Sequence, residues 1–214
     1  MTVSAALRQR LQEGVAALGL SCSEVQLDCL LAYLVLLQKW NRTYNLTAIR
    51  DLYSGVDLHL LDSLAVLPYL RGRRILDVGT GAGLPGIPLA ILSPDQRFVL
   101  LDSSGKKIRF VRQALLELGL SNVDAVASRV EEYHPTQLFD QVVTRAFASL
   151  DAIRALTERL LVPGGVILAL KGRLPEHGVA DFEVGAGMRA HRLEVPGVEA
   201  ERSLIEMTVT QGLS

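Results

Sequence analysis

Three glycines spaced by single residues follow an aspartate in the run Leu76-Asp77-Val78-Gly79-Thr80-Gly81-Ala82-Gly83-Leu84-Pro85-Gly86-Ile87-Pro88. The run joins an apolar segment to a helical one. Glycines at such positions let the backbone turn tightly and let a ligand approach without meeting a Cβ atom. The outline is that of a cofactor loop in an α/β chain. Gly81, Gly83 and Gly86 also satisfy the literal G-x-G-x-x-G pattern, so the loop by itself names no ligand.

The rest of the chain supplies a sheet for that loop. After Arg71, short apolar runs at residues 74–78, 98–101, 124–127, 141–144 and 166–170 alternate with helical patterns at 86–92, 106–118 and 150–161. Such alternation predicts parallel strands covered by helices on both faces, a Rossmann-like, doubly wound α/β fold. Residues 190–195 and 204–209 fit an antiparallel pair ending the sheet, and 173–187 read as an exposed loop. Upstream, apolar residues at helical spacing predict helices over 3–18, 24–41 and 53–69. Tyr44 and Leu46 then fall in a polar turn, packing with Trp40 between the helices and the sheet. The expected organisation is an N-terminal helical cap, residues 1–70, on a cofactor-binding domain, residues 71–214.

Composition excludes several classes. With 214 residues, 49% of them hydrophobic, the chain can bury a sizeable core. No apolar run reaches a membrane span, and Arg8, Arg10 and Glu13 interrupt the first segment, so a cytoplasmic protein with no membrane partner is expected. Cys22 and Cys29 are too few for a disulfide scaffold and match no metal motif. The 22 Lys and Arg nearly cancel the 23 Asp and Glu. Any polyanionic partner must therefore be met by local clusters, such as Arg71, Arg73 and Arg74, or Lys106, Lys107, Arg109 and Arg112.

Ligands of doubly wound sheets bind beyond the carboxyl ends of the strands. Asp77 stands there beside the glycine turn, and Asp102 ends the next strand, where a carboxylate can accept the hydroxyl protons of an adenosine ribose. Asp77 would repel the pyrophosphate of a dinucleotide but suits the ammonium and sulfonium of S-adenosylmethionine. Pro163-Gly164-Gly165, read as a turn just before the fifth strand, is a further methyltransferase trait. The cofactor set read here is Asp77, Gly79, Thr80, Gly81, Gly83, Asp102 and Ser103. An NAD-dependent oxidoreductase and a noncatalytic adenosyl-binding module remain as alternatives.

The segments Trp40-Asn41-Arg42-Thr43-Tyr44-Asn45-Leu46-Thr47, His59-Leu60-Leu61-Asp62-Ser63, the glycine run and Leu101-Asp102-Ser103 occur in that order. Lys106-Lys107-Ile108-Arg109-Phe110, Ser128-Arg129-Val130-Glu131-Glu132, Thr144-Arg145-Ala146-Phe147-Ala148 and Lys171-Gly172 follow. Together they resemble the RsmG family, also called glucose-inhibited division protein B, the bacterial small-subunit ribosomal RNA guanine-N7 methyltransferases. The resemblance implies a class I methyltransferase fold using S-adenosyl-L-methionine. It implies one guanine of 16S ribosomal RNA as substrate, within the small ribosomal subunit or an assembly intermediate. It also places cofactor contacts at Gly79, Leu84, Val130, Glu131 and Arg145. Leu58 and Ser203 depart from the Arg and His that the family often carries there.

The chemistry agrees. Methylases of exocyclic amines commonly carry Asn or Asp followed by Pro-Pro and an aromatic residue where this chain has Thr144-Arg145-Ala146-Phe147. Guanine N7 has a free lone pair and no proton, so displacement needs alignment rather than a general base. Candidates for positioning the substrate are Asp62, Arg145, Lys171 and Arg202. Lys106, Lys107, Arg109 and Arg112 join Lys171 and Arg202 as phosphate contacts. Structural alternatives are an Arg145 salt bridge to Asp77 or Glu131, and Arg202 pairing with Glu199 or Glu201. His59 belongs within the cap or at the pocket. His134, His177 and His191 show no ligand spacing and are expected at the surface.

Overall fold

The computed structural model describes residues 4–145, 149–172 and 187–209. The cap opens with α1 (Ala5–Ala17) and α2 (Glu24–Tyr44). Ser4 caps α1 by accepting from Leu7 N, and Ser23 with Gln26 forms a capping box on α2, so each helix starts where a hydroxyl satisfies a free backbone donor. α3 (Leu52–Gly55), a π-helical stretch (Val56–Leu61) and α4 (Asp62–Leu64) follow in continuous succession. The single third helix expected from periodicity is thus interrupted by one wider turn. A second difference is Tyr44, which ends α2 instead of lying in a turn. From there it stacks on Trp40, one helical turn back, with ring centroids 5.1 Å apart.

The sheet has seven strands in the order β3-β2-β1-β4-β5-β7-β6. These are β1 (Arg74–Val78), β2 (Arg97–Asp102), β3 (Val123–Ala127), β4 (Phe139–Arg145), β5 (Leu161–Lys171), β6 (Met188–Leu193) and β7 (Arg202–Thr208). The first five are parallel, and β7 runs antiparallel between β5 and β6. α5 (Gly86–Leu92), α6 (Gly105–Leu118) and α7 (Leu150–Thr157) provide crossovers. The chain winds outward from β1 to β3, then returns to place β4 on the other side of β1. This reversal makes a crevice between β1 and β4 at the carboxyl edge.

Two expectations at β5 change. The helix before it ends at Thr157 and tightens to a 3-10 turn (Glu158–Leu160). Pro163-Gly164-Gly165 lies inside β5, not before it. There Gly164 N donates to Val209 O and Gly165 O accepts from Val209 N, at 3.2 and 2.9 Å, and the register against β4 slips. Proline cannot donate to a ladder and Gly164 has φ +76°, so the three residues form a bulge. Of the loop expected at 173–187, residues 173–186, including His177, lie outside the described residues, as do Ala146, Phe147 and Ala148.

One continuous hydrophobic core holds Leu30, Leu31 and Leu34 of the cap together with Ile75, Leu100 and Phe110 of the sheet and α6. Leu76, Val78, Val142, Ile153 and Leu160 form the core under the other face. Among the described residues no helix is long and apolar enough to cross a membrane, and no cluster could hold a metal ion. Both cysteines are half-buried free thiols, their pKa values raised by burial.

Candidate functional site

The backbone leaves β1 through the glycine turn and is pinned to the end of β2, where Leu101 O accepts from Gly79 N at 2.8 Å and Thr80 N at 3.1 Å. Gly79, Gly81 and Gly83 all have positive φ, at 71°, 62° and 92°. Their demands differ. A Cβ on Gly83 would lie 2.4 Å from Ile87 Cδ1, whereas one on Gly81 would meet nothing nearer than Gly79 O at 4.0 Å. Gly81 is therefore required by conformation alone and leaves open space beside the loop. Gly86 is glycine for packing, since a Cβ there would strike Leu100 and Asp77.

Asp77 stands behind this turn, only 1% exposed. Its Oδ2 accepts from Thr80 Oγ1 at 2.7 Å and from Gly86 N at 2.9 Å, while Oδ1, equally buried, has no hydrogen-bond partner. Desolvation pushes the carboxyl pKa up to about 6, despite the lowering effects of those donors and of Arg145. An acceptor left unpaired in this way fits a cationic ligand group. Asp102 is nearly as buried, with Oδ2 accepting from Gly81 N at 2.9 Å, Oδ1 from Ser104 N at 2.8 Å, and Lys107 Nζ 3.9 Å away. Its remaining lone pairs suit hydroxyl donors.

Tyr33 was not among the expected site residues. Fully buried on α2, it donates its hydroxyl to Ala82 O at 2.8 Å, so the cap braces the glycine turn directly. Burial raises the Tyr33 pKa and keeps the phenol protonated as a donor. The only sequence signal was a tyrosine beside the apolar stripe of a helix, since a buried phenol needs a partner.

Two cavities open at the carboxyl edge. One, of about 350 Å³, is lined by Val78, Gly79, Leu101, Asp102, Ser103, Lys107, Ser128, Arg129, Val130, Glu131 and Arg145. Six expected cofactor residues meet there: Gly79, Asp102, Ser103, Val130, Glu131 and Arg145. Asp77, Thr80, Gly83 and Leu84 stand behind the wall as scaffold, with Gly81 on the loop between them. Lys107, Ser128 and Arg129 join the lining beyond the expected set. The second cavity, about 380 Å³, is lined by Ile49, Leu58, Asp62, Arg145, Leu170, Lys171, Gly172, Leu193, Arg202 and Ser203. It brings together all four substrate-positioning candidates.

Arg145 lines both cavities. Its guanidinium pairs with Asp62 Oδ2 at 3.4 Å, and Arg202 Nε donates to Asp62 Oδ1 at 2.7 Å. The expected alternatives for Arg145, Asp77 or Glu131, are thus replaced by a cap residue, and Arg202 reaches Asp62 as well as the Glu201 carbonyl. Asp62 fastens the cap to two strands of the sheet. The loop after α2 is shaped for the same wall, because buried Asn41 donates to Ile49 O and accepts from Thr47 N.

His59 belongs to the cap, with Nε2 3.0 Å from Thr47 Oγ1. Burial and the nearby Arg145 lower its pKa to about 4, so it stays neutral. His191, expected at the surface, is half-buried, 2.9 Å from Glu206 and against the Tyr69 ring. His134 is exposed. Lys106 lies over the Tyr44 ring, and Arg112 donates to Ala125 O. Arg71, Arg73 and Arg74 stand at the start of β1, the edge opposite both cavities.

A further cavity, about 600 Å³, lies between α1, α2 and α6, away from this chemistry.

The family model described as rRNA small subunit methyltransferase G matches residues 26–205. A ribosomal RNA small subunit methyltransferase G from Methylococcus capsulatus is 55% identical over 200 residues, covering 94% of this chain and 98% of its own. One from Nitrosococcus oceani is 50% identical over 201 residues, covering 92% of each. Among solved structures, the YcgJ protein of Bacillus subtilis aligns with a TM-score of 0.55 at 14% identity, over 72% of this chain and 100% of its own. A putative rRNA-methylase from Clostridium thermocellum gives 0.51 at 18% identity, over 72% and 98%. These structural likenesses speak for the fold alone.

Proposed function

The chain belongs to the rRNA small subunit methyltransferase G family, and from that membership we propose that it methylates N7 of one guanine in 16S ribosomal RNA, with S-adenosylmethionine as donor. The fold is that of a class I methyltransferase. The observation that carries the reading is the pair of adjoining cavities with Arg145 as their common wall.

The residues present fit S-adenosylmethionine. Asp102, at the cavity wall, offers acceptors to ribose hydroxyls, and Asp77 just behind the wall, its Oδ1 without a hydrogen-bond partner, supplies negative charge that favours an ammonium in the cavity. Gly79, Gly81, Ser103, Val130 and Glu131 would form the remaining wall, held by Thr80, Gly83 and Leu84. When bound, the cofactor supplies an electrophilic methyl group. The protein's part is alignment and exclusion of water, which can supply roughly 7–11 kcal/mol of the barrier in favourable cases. Guanine N7 carries no proton, so no residue need remove one, and the buried neutral His59 is left to its role in the cap.

Asp62, Arg145, Lys171 and Arg202 would position the target nucleotide, with Lys106 and Arg109 reaching outer phosphates. In this scheme residues 1–70 form the lid side of the substrate cavity and 71–214 the cofactor-binding unit, working in the cytoplasm on the small subunit or its assembly intermediate. The ionised Asp77 argues against a dinucleotide, whose pyrophosphate it would repel.

The test is incubation of the protein with unmodified small subunits and labelled methyl donor, followed by mapping of 7-methylguanosine in the RNA. Label at one guanine is expected. A labelled product elsewhere, or a preference for NAD over S-adenosylhomocysteine in equilibrium binding, would overturn the assignment.

A further inference from the structure

The second cavity holds an ion pair whose members are unequally placed. Arg145 lines both cavities, whereas Asp62 lines only the second. Asp62 is 5% exposed and fixed from two sides, with Arg202 Nε on Oδ1 and Arg145 on Oδ2. A carboxylate has about four lone-pair positions, so two remain for a ligand. The Arg145 contact is long, at 3.4 Å, and a guanidinium has further N–H groups. Leu58, Leu170, Leu193 and Ile49 give the cavity apolar walls suited to a base.

We propose that Arg145 and Asp62 together read the O6/N1 edge of the target guanine, Arg145 donating to O6 and Asp62 accepting from N1–H and the 2-amino group. This rests on the guanine-N7 reading above and deepens it. Guanine offers an acceptor at O6 beside a donor at N1, which a donor-acceptor ion pair complements. Adenine offers a donor at N6 and an acceptor at N1, reversing both contacts and leaving buried polar groups unsatisfied. The arrangement also suits the reacting atom. O6 and N7 are neighbours on one edge of the base, so holding O6 at Arg145 sets N7 at the boundary with the cofactor cavity. The N1 edge then points toward Asp62, on the side away from the donor. Arg202 is a positioning residue in this scheme, since it holds the Asp62 carboxylate in place.

The test uses reconstituted small subunits in which the target guanosine is replaced by inosine or 2,6-diaminopurine ribonucleoside, both of which keep N7. Inosine retains O6 and N1–H and loses only the 2-amino group, so its kcat/KM should stay within about tenfold of guanosine. Diaminopurine retains the 2-amino group but reverses the 6 and 1 positions, and should fall by about 100-fold or more. The Asp62→Asn variant, whose amide can donate to N1 of diaminopurine, should narrow the guanosine to diaminopurine ratio by about tenfold. Its affinity for S-adenosylhomocysteine shows that it is folded. Damage of a purely structural kind would slow both substrates alike and leave that ratio unchanged, which would overturn the proposal. Diaminopurine accepted within about fivefold of guanosine by the parent protein would overturn it without any variant. Methylation at no guanine at all would instead bring down the function reading and this inference with it.

Discussion

Replacing Asp77 by Asn should flatten the pH dependence of stability and weaken the cofactor site together. Asp77 is 1% exposed, and burial raises its pKa from 3.8 to about 6. Between those values the folded protein holds a proton that the unfolded chain releases, so the unfolding free energy falls as pH rises through the window. A gap of about two pH units, at about 1.36 kcal/mol each, costs the folded state about 3 kcal/mol at neutral pH. Asparagine has no such titration. Its carbonyl can accept from Thr80 and Gly86, but its amide occupies the place where Oδ1 has no partner, at a cost of about 1–3 kcal/mol. That cost is the same at every pH. Urea unfolding of both ligand-free proteins at pH 4 and pH 7.5 therefore cancels it. The stability of the variant relative to the parent should rise by about 2–3 kcal/mol between the two pH values. Binding should move oppositely. S-adenosylhomocysteine should bind the parent about tenfold more weakly for each pH unit below 6, and the variant weakly with little pH dependence. Equal pH dependence of stability in the two proteins would refute the assignment of a strained, buried carboxylate at Asp77.

Three further outcomes follow from the geometry. Tyr33→Phe strands the Ala82 carbonyl, so stability should drop by about 1–3 kcal/mol in urea unfolding and S-adenosylhomocysteine affinity should weaken severalfold by calorimetry. Full retention of both would remove the brace. Gly83→Ala combines a left-handed φ with a contact 2.4 Å from Ile87, and should destabilise by about 2 kcal/mol or more, whereas an unchanged Tm would contradict this. Lys171→Ala should slow RNA methylation and reduce its salt dependence without altering S-adenosylhomocysteine affinity, because Lys171 lines only the second cavity. An equal loss of cofactor affinity would assign it elsewhere.

Elements bounded by strong local signals were legible in the sequence. β1 at 74–78 and α5 at 86–92 lie where expected, because a basic cluster, an apolar run and glycines mark each end. The final antiparallel strands start two residues earlier than their apolar patterns suggest, since their limits are set by cross-strand pairing that one strand's sequence does not record. Nothing local distinguishes the π-helical stretch, whose apolar residues also fit an ordinary helix. Pro163-Gly164-Gly165 signals a turn and a bulge equally well, because the same residue types serve both.

The candidate site divides in the same way. Asp77, Asp102 and the glycines stand out by their chemistry, while Leu84, Val130 and Glu131 are ordinary in their local patterns and only the family resemblance points to them. Arg145 and Arg202 lie 83 and 140 residues from Asp62. Their convergence is a product of topology, and charge patterning along the chain could not reveal it. The sequence offers Asp62 only as a candidate for positioning the substrate; the fold clamps it between two arginines.

The order of strands has a consequence for the growing chain. β6 touches the sheet through β7 alone, and β7 brings Arg202 to Asp62. A nascent chain that has emerged as far as β5 already possesses every residue lining the first cavity, yet lacks Leu193, Arg202 and Ser203 of the second. Synthesis therefore supplies the residues of the two cavities in sequence, and a chain stalled between β6 and β7 lacks the arginine that fixes Asp62 Oδ1.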